Sequence, residues 1–224
     1  MQLDHLVVAA RTLADGVAWC EATLGIVPGP GGEHAFMGTH NRLFGIGSPA
    51  FPRAYFEIIA IDPAAPRPAR PRWFDLDSPA LQRALASGPQ LIHWVARCGD
   101  VRSTVAELRA AGIHRGEVLQ AERATPRVLL RWQITLRDDG QRLFGGALPT
   151  LIEWGDVHPA DTMPPSGVTL TQLGLVGLPP DVTRLLPEGV QTDADGPPLR
   201  MTLSTPRGPI VLHSPKAEAD PVQP

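Results

Sequence analysis

The sequence predicts an α+β fold in which paired βαβββ modules form a cup-shaped mixed sheet, with a third, truncated βαβββ-like module at the C-terminus. Three segments start alike: Leu3-Asp4-His5-Leu6-Val7-Val8, Leu91-Ile92-His93-Trp94-Val95-Ala96 and Leu170-Thr171-Gln172-Leu173-Gly174-Leu175. Each is followed by a helix-like run that closes on a glycine and a β-branched residue, at Gly25-Ile26, Gly112-Ile113 and Gly189-Val190. Each repeat then ends in an apolar run carrying a polar residue: Tyr55-Phe56-Glu57-Ile58, Leu151-Ile152-Glu153-Trp154 and Val211-Leu212-His213-Ser214. Self-similarity of this kind marks a repeated supersecondary unit. One such unit leaves a sheet edge open and has a helix on one side only, so it pairs to close its core.

The first module spans 1–63. Its opening apolar run, 3–10, reads as a strand, and 12–24 as a helix with Leu13, Val17 and Leu24 on one face. Thr12 followed by Asp15 is a capping pattern, and Gly25 supplies a stop. Strands are expected near 34–38, 41–47 and 54–61 from pattern and turn spacing. Residues 64–89 form a linker and a short helix. Closely spaced prolines up to Pro71 forbid both a helix and a central strand, and Asp77 or Ser78 can cap a helix that Gly88-Pro89 ends. The second module, 90–157, opens with a strand from Leu91. Asp100 caps an amphipathic helix carrying Val101, Val105 and Leu108, and strands are expected near 117–123, 127–137 and 148–154. The third, degenerate module covers 158–215, with a stunted helix near 180–186 and a last hairpin turn at Pro206-Arg207-Gly208. A polar tail, 216–224, follows.

Composition excludes several classes of function. A net charge of −3 with interspersed signs leaves no footprint for nucleic acid or an anionic membrane surface. No apolar run approaches a membrane span and no secretory signal is visible, so a cytoplasmic location is expected. Cys20 and Cys98 make no disulfide framework and no CxxC pair, and read as small buried residues. Glycine-rich phosphate loops and GxSxG elbows are absent from the sequence. The 25 prolines and 22 glycines are spread along the chain, which suits many short strands joined by turns.

In the paired cup, the cleft is lined by the first and fourth strands of each unit, and these carry His5, Glu57, His93 and Glu153. Leu3-Asp4-His5, Gly38-Thr39-His40-Asn41-Arg42-Leu43 and Phe56-Glu57-Ile58-Ile59-Ala60-Ile61-Asp62-Pro63 resemble the glyoxalase-like domain proteins of the vicinal-oxygen-chelate (glyoxalase/bleomycin resistance/dioxygenase) superfamily. The resemblance implies a divalent metal ion, one of Zn, Ni, Co, Mn or Fe, held by His5, Glu57, His93 and Glu153. Two imidazoles and two carboxylates suit such an ion and leave positions open for substrate oxygens. Glu153 is then the expected catalytic base, although Glu57 is hardly distinguishable from it. The leading reading is a metal-dependent lyase, isomerase or epimerase acting on a small molecule with adjacent oxygens. The alternative is a metal-free binding or resistance protein using the same cup.

His40, Asn41, Arg42 and Arg131 are candidate substrate-binding residues, Arg42 as a grip for a carboxylate or phosphate. A one-residue change of register would turn Arg131 outward. His34, His114 and His158 carry no positional argument and read as surface or turn residues. The Pro63–Arg72 linker reads as a solvated loop or a lid. The third module has Gln172 and His213 at the ligand positions, a poor set for a transition metal. It is expected to pack on the first two modules or to form a homodimer.

Overall fold

The protein is described here by a computed structural model covering residues 1–125 and 128–215. The tail expected at 216–224 and residue 127, the first of an expected strand, lie outside the described residues. In chain order the elements are β1 (Gln2–Ala9), α1 (Leu13–Leu24), β2 (Glu33–His34), β3 (Thr39–Gly45), β4 (Tyr55–Ile61), α2 (Pro79–Leu85), β5 (Gln90–Arg97), α3 (Val101–Ala110), β6 (Glu117–Ala124), β7 (Leu129–Leu136), β8 (Thr150–Trp154), β9 (Thr169–Leu175), α4 (Pro180–Thr183), β10 (Val190–Thr192), β11 (Leu199–Thr205) and β12 (Gly208–His213).

The helix termini follow from local chemistry. Thr12 accepts a hydrogen bond from the Asp15 N–H at 3.1 Å, and Asp100 accepts from Ser103 N–H at 3.0 Å. Gly25 ends α1 in the left-handed region at φ 77°. The strand expected at 34–38 is only the two residues of β2. The chain then turns, with Met37 N–H bonded to His34 O and Gly38 at φ 59°.

Eight strands form one sheet in the order β2-β3-β4-β1-β5-β8-β7-β6. β1 runs parallel to β4 and β5 parallel to β8, while β1 and β5 pair antiparallel at the centre. The central pairing is symmetric: His5 lies opposite Val95, and Val7 lies opposite His93. His5 and His93 are therefore equivalent positions of the two modules. Register shifts fall between Leu3 and His5 and between Val7 and Val8, leaving Asp4 unpaired in a bulge.

The sheet separates two apolar clusters. On its outer face Leu6, Phe56, Trp94 and Leu151 pack with α1 and α3. The apolar faces of β9 and β11 (Leu170, Leu173, Met201 and Leu203) join this cluster, so the third module packs on the first two. Trp94 is fully buried and donates Nε1–H to Ala147 O at 2.8 Å, and its replacement by alanine costs about 3–5 kcal/mol. The third module keeps the βαβββ element order in a separate four-stranded sheet, but its strands run β10-β9-β11-β12. It is not a topological copy of the other two.

On the inner face Val7, Ile59, Ile92, Trp132 and Ile152 line the cup. The proline-rich linker ends inside it, with Trp73 and Phe74 both buried. Phe74 (φ 60°) and Asp75 (φ 58°) adopt left-handed backbone, costly for a bulky side chain. The turn is pinned by Asp75 N–H to Gly140 O (3.1 Å) and Arg142 Nε–H to Asp75 Oδ2 (2.8 Å). Among the described residues no helix is long and apolar enough to cross a membrane.

Candidate functional site in the cup

A narrow cavity of about 40 Å³ lies in the cup, lined by His5, His34, Asn41, Tyr55, Glu57, Trp73, Phe74, Arg123, Trp132 and Trp154. His5 Nε2 faces Glu57 Oε2 at 3.6 Å, and both side chains are nearly fully buried. The His5 ring stacks on Tyr55, with centroids 4.6 Å apart. Burial, with the Asp4 and Glu57 charges nearby, pushes the Tyr55 phenol well above its ordinary pKa, so it stays neutral.

Behind His5 stands Asp4, which is wholly buried. Its Oδ1 accepts from His5 Nδ1–H at 2.7 Å, and its Oδ2 accepts from His158 Nε2–H at 2.8 Å and Trp154 Nε1–H at 3.0 Å. His158 Nδ1 accepts from Ala160 N–H, which places the His158 ring proton on Nε2. Burial alone would raise the Asp4 pKa, but the hydrogen bonds it accepts from His158 and His5 hold it well below the carboxylate range. An ionised Asp4 fixes a proton on His5 Nδ1 and directs Nε2 at the cavity.

Glu57 is held from the other side. Asn41 donates Nδ2–H to Glu57 Oε1 at 2.6 Å, and its Oδ1 accepts from Gly32 N–H at 2.8 Å, which settles the amide orientation. The same Nδ2 lies 3.5 Å from His34 Nε2, while His34 Nδ1 lies 3.1 Å from Thr39 Oγ1. Burial, with the charge of Arg123, depresses His34 to about 3.

The second half of the cup differs. His93 is fully buried under Phe74, with ring centroids 5.0 Å apart. Its Nδ1–H donates to Gly146 O at 3.1 Å, and its Nε2 accepts from Thr150 N–H at 3.1 Å with Thr150 Oγ1 at 2.9 Å. Burial first, then the charges of Arg115 and Arg142, hold His93 well below its ordinary pKa. Buried Arg115 also donates to Thr150 Oγ1.

Register explains the difference. Val7 lies opposite Glu57, and the equivalent Val95 lies opposite Thr150. Thr150 therefore occupies the Glu57 position. Glu153 lies three residues further on, an odd offset that turns its side chain to the outer face. There Glu153 Oε2 accepts from Val101 N–H at 2.8 Å and caps α3. The expected ligand set is corrected accordingly: His5 and Glu57 meet, but His93 and Glu153 do not join them. Glu153 is likewise misplaced for a base in the cavity.

A four-ligand divalent ion does not fit these residues. Among the described residues the donors at hand are His5 Nε2 and Glu57 Oε2; His34 Nε2 faces the Asn41 amide, the His93 lone pair is already engaged, and Arg115 adds positive charge to the second half. Among the described residues no group of three or more His, Cys, Asp or Glu side chains is arranged to hold a metal.

Of the expected substrate-binding residues, Asn41 reaches the cavity. His40 and Arg42 alternate with it along β3 and point to the other face of the sheet; Arg42 Nη1–H bonds Asn41 O. Arg131 is also turned outward, its exposed side chain 3.4 Å from Glu122. The arginine in the cavity is Arg123, on the neighbouring strand, and its Nε and Nη1 are buried without a hydrogen-bond partner among the described residues. Trp73 Nε1 is buried and unpartnered in the same way. His34 and His158, expected at the surface or in turns, are buried beside the cavity, and Asp4 and Arg123 join them without having been singled out by the sequence. The signals that could have found them are the Asp-His pair at a strand start and the inward parity of Arg123 with Leu130, its partner on β7.

No curated protein matches the chain significantly. Among solved structures, a hypothetical protein from Staphylococcus aureus aligns over 96% of this chain and 86% of its own, with 14% identity and a TM-score of 0.53. That similarity supports the fold. Methylmalonyl-CoA epimerase from Streptomyces coelicolor aligns over 70% of this chain and 97% of its own, at 19% identity and a TM-score of 0.42. The Mycobacterium tuberculosis epimerase covers 68% of this chain and 86% of its own, at 18% identity and a TM-score of 0.37. The profile of the glyoxalase-like domain matches residues 3–188, and with its paired βαβββ modules the chain belongs to that family.

Proposed function

We propose that the protein is a small-molecule enzyme of isomerase type that moves a proton between neighbouring atoms of a substrate with adjacent oxygens. The observation that carries this reading is the line Asp4–His5–Glu57 ending in the cavity. His5 Nε2 has a lone pair aimed at the cup because Asp4 holds the ring proton on Nδ1. It takes a proton from carbon next to a carbonyl, and the C–H electron pair becomes the enolate. The resulting imidazolium lies between two carboxylates, Asp4 and Glu57, which stabilise its charge. Trp73 Nε1–H, unspent in the same cavity, can donate to the developing oxyanion. The proton then returns to the adjacent atom.

Distance selects among proton-transfer reactions. Two bases working on opposite faces of one carbon each need about 3–3.5 Å to it, so they stand roughly 6–7 Å apart. His5 and Glu57, at 3.6 Å, work from one side. That favours a proton shift along one face over epimerisation by two opposed bases.

Exchange of solvent deuterium into a panel of α-hydroxycarbonyl compounds, followed by NMR, tests the proposal. Wild type should exchange at least one compound, and His5→Asn and Glu57→Gln should slow it about 100-fold or more. Glu153→Gln should exchange at the wild-type rate. Absence of exchange across the panel, or exchange undiminished in His5→Asn, overturns the reading. The aromatic walls formed by Tyr55, Trp73, Phe74, Trp132 and Trp154 would then favour the second reading, a ligand-binding cup.

A further inference from the structure

We infer that Arg123 is an anion-recognition residue and that the ligand is an organic carboxylate with an apolar body. The inference rests on the cup being the ligand site, as proposed above. Three observations carry it.

First, Arg123 stands at a boundary. It lines the narrow cavity that holds His5 and Glu57, and it also lines a groove of about 720 Å³ outside it. Leu43 and Pro159 are shared by the two spaces as well, so the cavity and the groove adjoin at this cationic side chain. Second, two of the three guanidinium nitrogens are desolvated but unspent. Its Nε and Nη1 are buried without a partner among the described residues, and buried N–H groups left unpaired cost stability. The position is also built for it. A Cβ on Gly32 would stand 2.6 Å from Arg123 Nη1 and 2.8 Å from Cζ, so the glycine is what admits the guanidinium. Third, the groove beyond is apolar, with walls that include Ile26, Val27, Phe44, Val128, Val157 and Met163. Val27 is 65% exposed at its rim. The groove volume lies within the usual range for small-molecule sites.

A carboxylate matches these features together. It accepts the unspent N–H groups in a charge-assisted contact. The apolar body displaces water from the groove, and the reacting end can reach toward His5.

Binding of octanoate, measured by quenching of tryptophan fluorescence and by calorimetry, tests the inference, with octanol as the neutral comparison. Wild type should bind octanoate roughly tenfold to a hundredfold more tightly than octanol, the factor expected for one charged hydrogen-bonded contact. Arg123→Gln should bring octanoate to the level of octanol and leave octanol unchanged. Gly32→Ala, which crowds the guanidinium, should act in the same direction. Thermal unfolding of Arg123→Gln should show a midpoint no lower than wild type, because an unpaired buried charge has been removed.

Equal affinity of wild type for octanoate and octanol, or unchanged discrimination in Arg123→Gln, overturns the inference, including the case in which Arg123 serves only Glu57 or bound water. His5→Asn separates this inference from the proton-transfer proposal. It should retain octanoate binding while losing deuterium exchange, so either can fail without the other.

Discussion

Replacement of Asp4 by asparagine should destabilise the protein by about 3 kcal/mol at pH 7, and the gap should shrink on acidification. Asp4 is wholly buried and receives N–H groups from His5, His158 and Trp154 at 2.7, 2.8 and 3.0 Å. A hydrogen bond to a charged group contributes about 1.5–3 kcal/mol, against about 1 kcal/mol for a neutral pair. An asparagine oxygen turned toward His158 and Trp154 keeps two of the three contacts as neutral ones. Its amide nitrogen then confronts the His5 Nδ1–H, which forces the His5 proton to Nε2. Weakening two contacts and losing the third gives a total of roughly 2–5 kcal/mol, as for other broken buried ionic networks. The pH dependence follows from the depressed Asp4 pKa. The carboxylate contributes fully above the ordinary value of about 3.9. Below it the unfolded chain takes up a proton first, so the contribution is lost as pH falls toward the depressed native value. Urea denaturation of both proteins at pH 7, 5 and 3 reads the gap directly. A gap under about 0.5 kcal/mol at pH 7, or one that widens on acidification, would refute the assignment of Asp4 as an ionised anchor. Deuterium exchange should fall with it, because His5 in the other tautomer presents a donor where a proton acceptor is needed.

Glu153→Ala should cost about 1 kcal/mol in chemical denaturation through loss of the α3 cap and leave exchange and octanoate binding untouched; loss of either function would return Glu153 to the site. Burial of His34 and His93 as neutral rings should lower stability as pH falls from 7 to 5. His34 and His93 both have depressed native pKa values, so in that window they bind protons only in the unfolded state. A flat stability profile from urea midpoints at the two pH values would contradict their burial as neutral rings. After dialysis against a chelator, added Zn²⁺ should bind weakly, because among the described residues only His5 and Glu57 meet as donors. Stoichiometric metal retained through that dialysis, measured by elemental analysis, would show that more ligands converge than these two.

Repeat structure was legible in the sequence because each module must bury the same face, and that requirement writes the same apolar rhythm twice. The equivalence of His5 and His93 follows from that rhythm, and the symmetric pairing of His5 with Val95 and Val7 with His93 realises it. The equivalence of Glu57 and Glu153 does not, because residues on the two faces of a strand differ only in parity. Aligning the runs by their single polar residue slips β8 by three positions relative to β4, which moves a carboxylate through the sheet. Asp4 escaped for a related reason: simple alternation puts it opposite His5, and only the bulge brings the two side chains together. Trp73 and Phe74 follow a run of prolines that reads as a solvated linker, yet Phe74 closes over His93. These departures have one consequence. With Thr150 at the carboxylate position, Arg115 beside it and Phe74 above, the second histidine is bound up in hydrogen bonds, and His5 keeps the free nitrogen. The duplicated cup is thereby asymmetric: one half leaves a histidine nitrogen facing the cavity, and the other spends its histidine on hydrogen bonds.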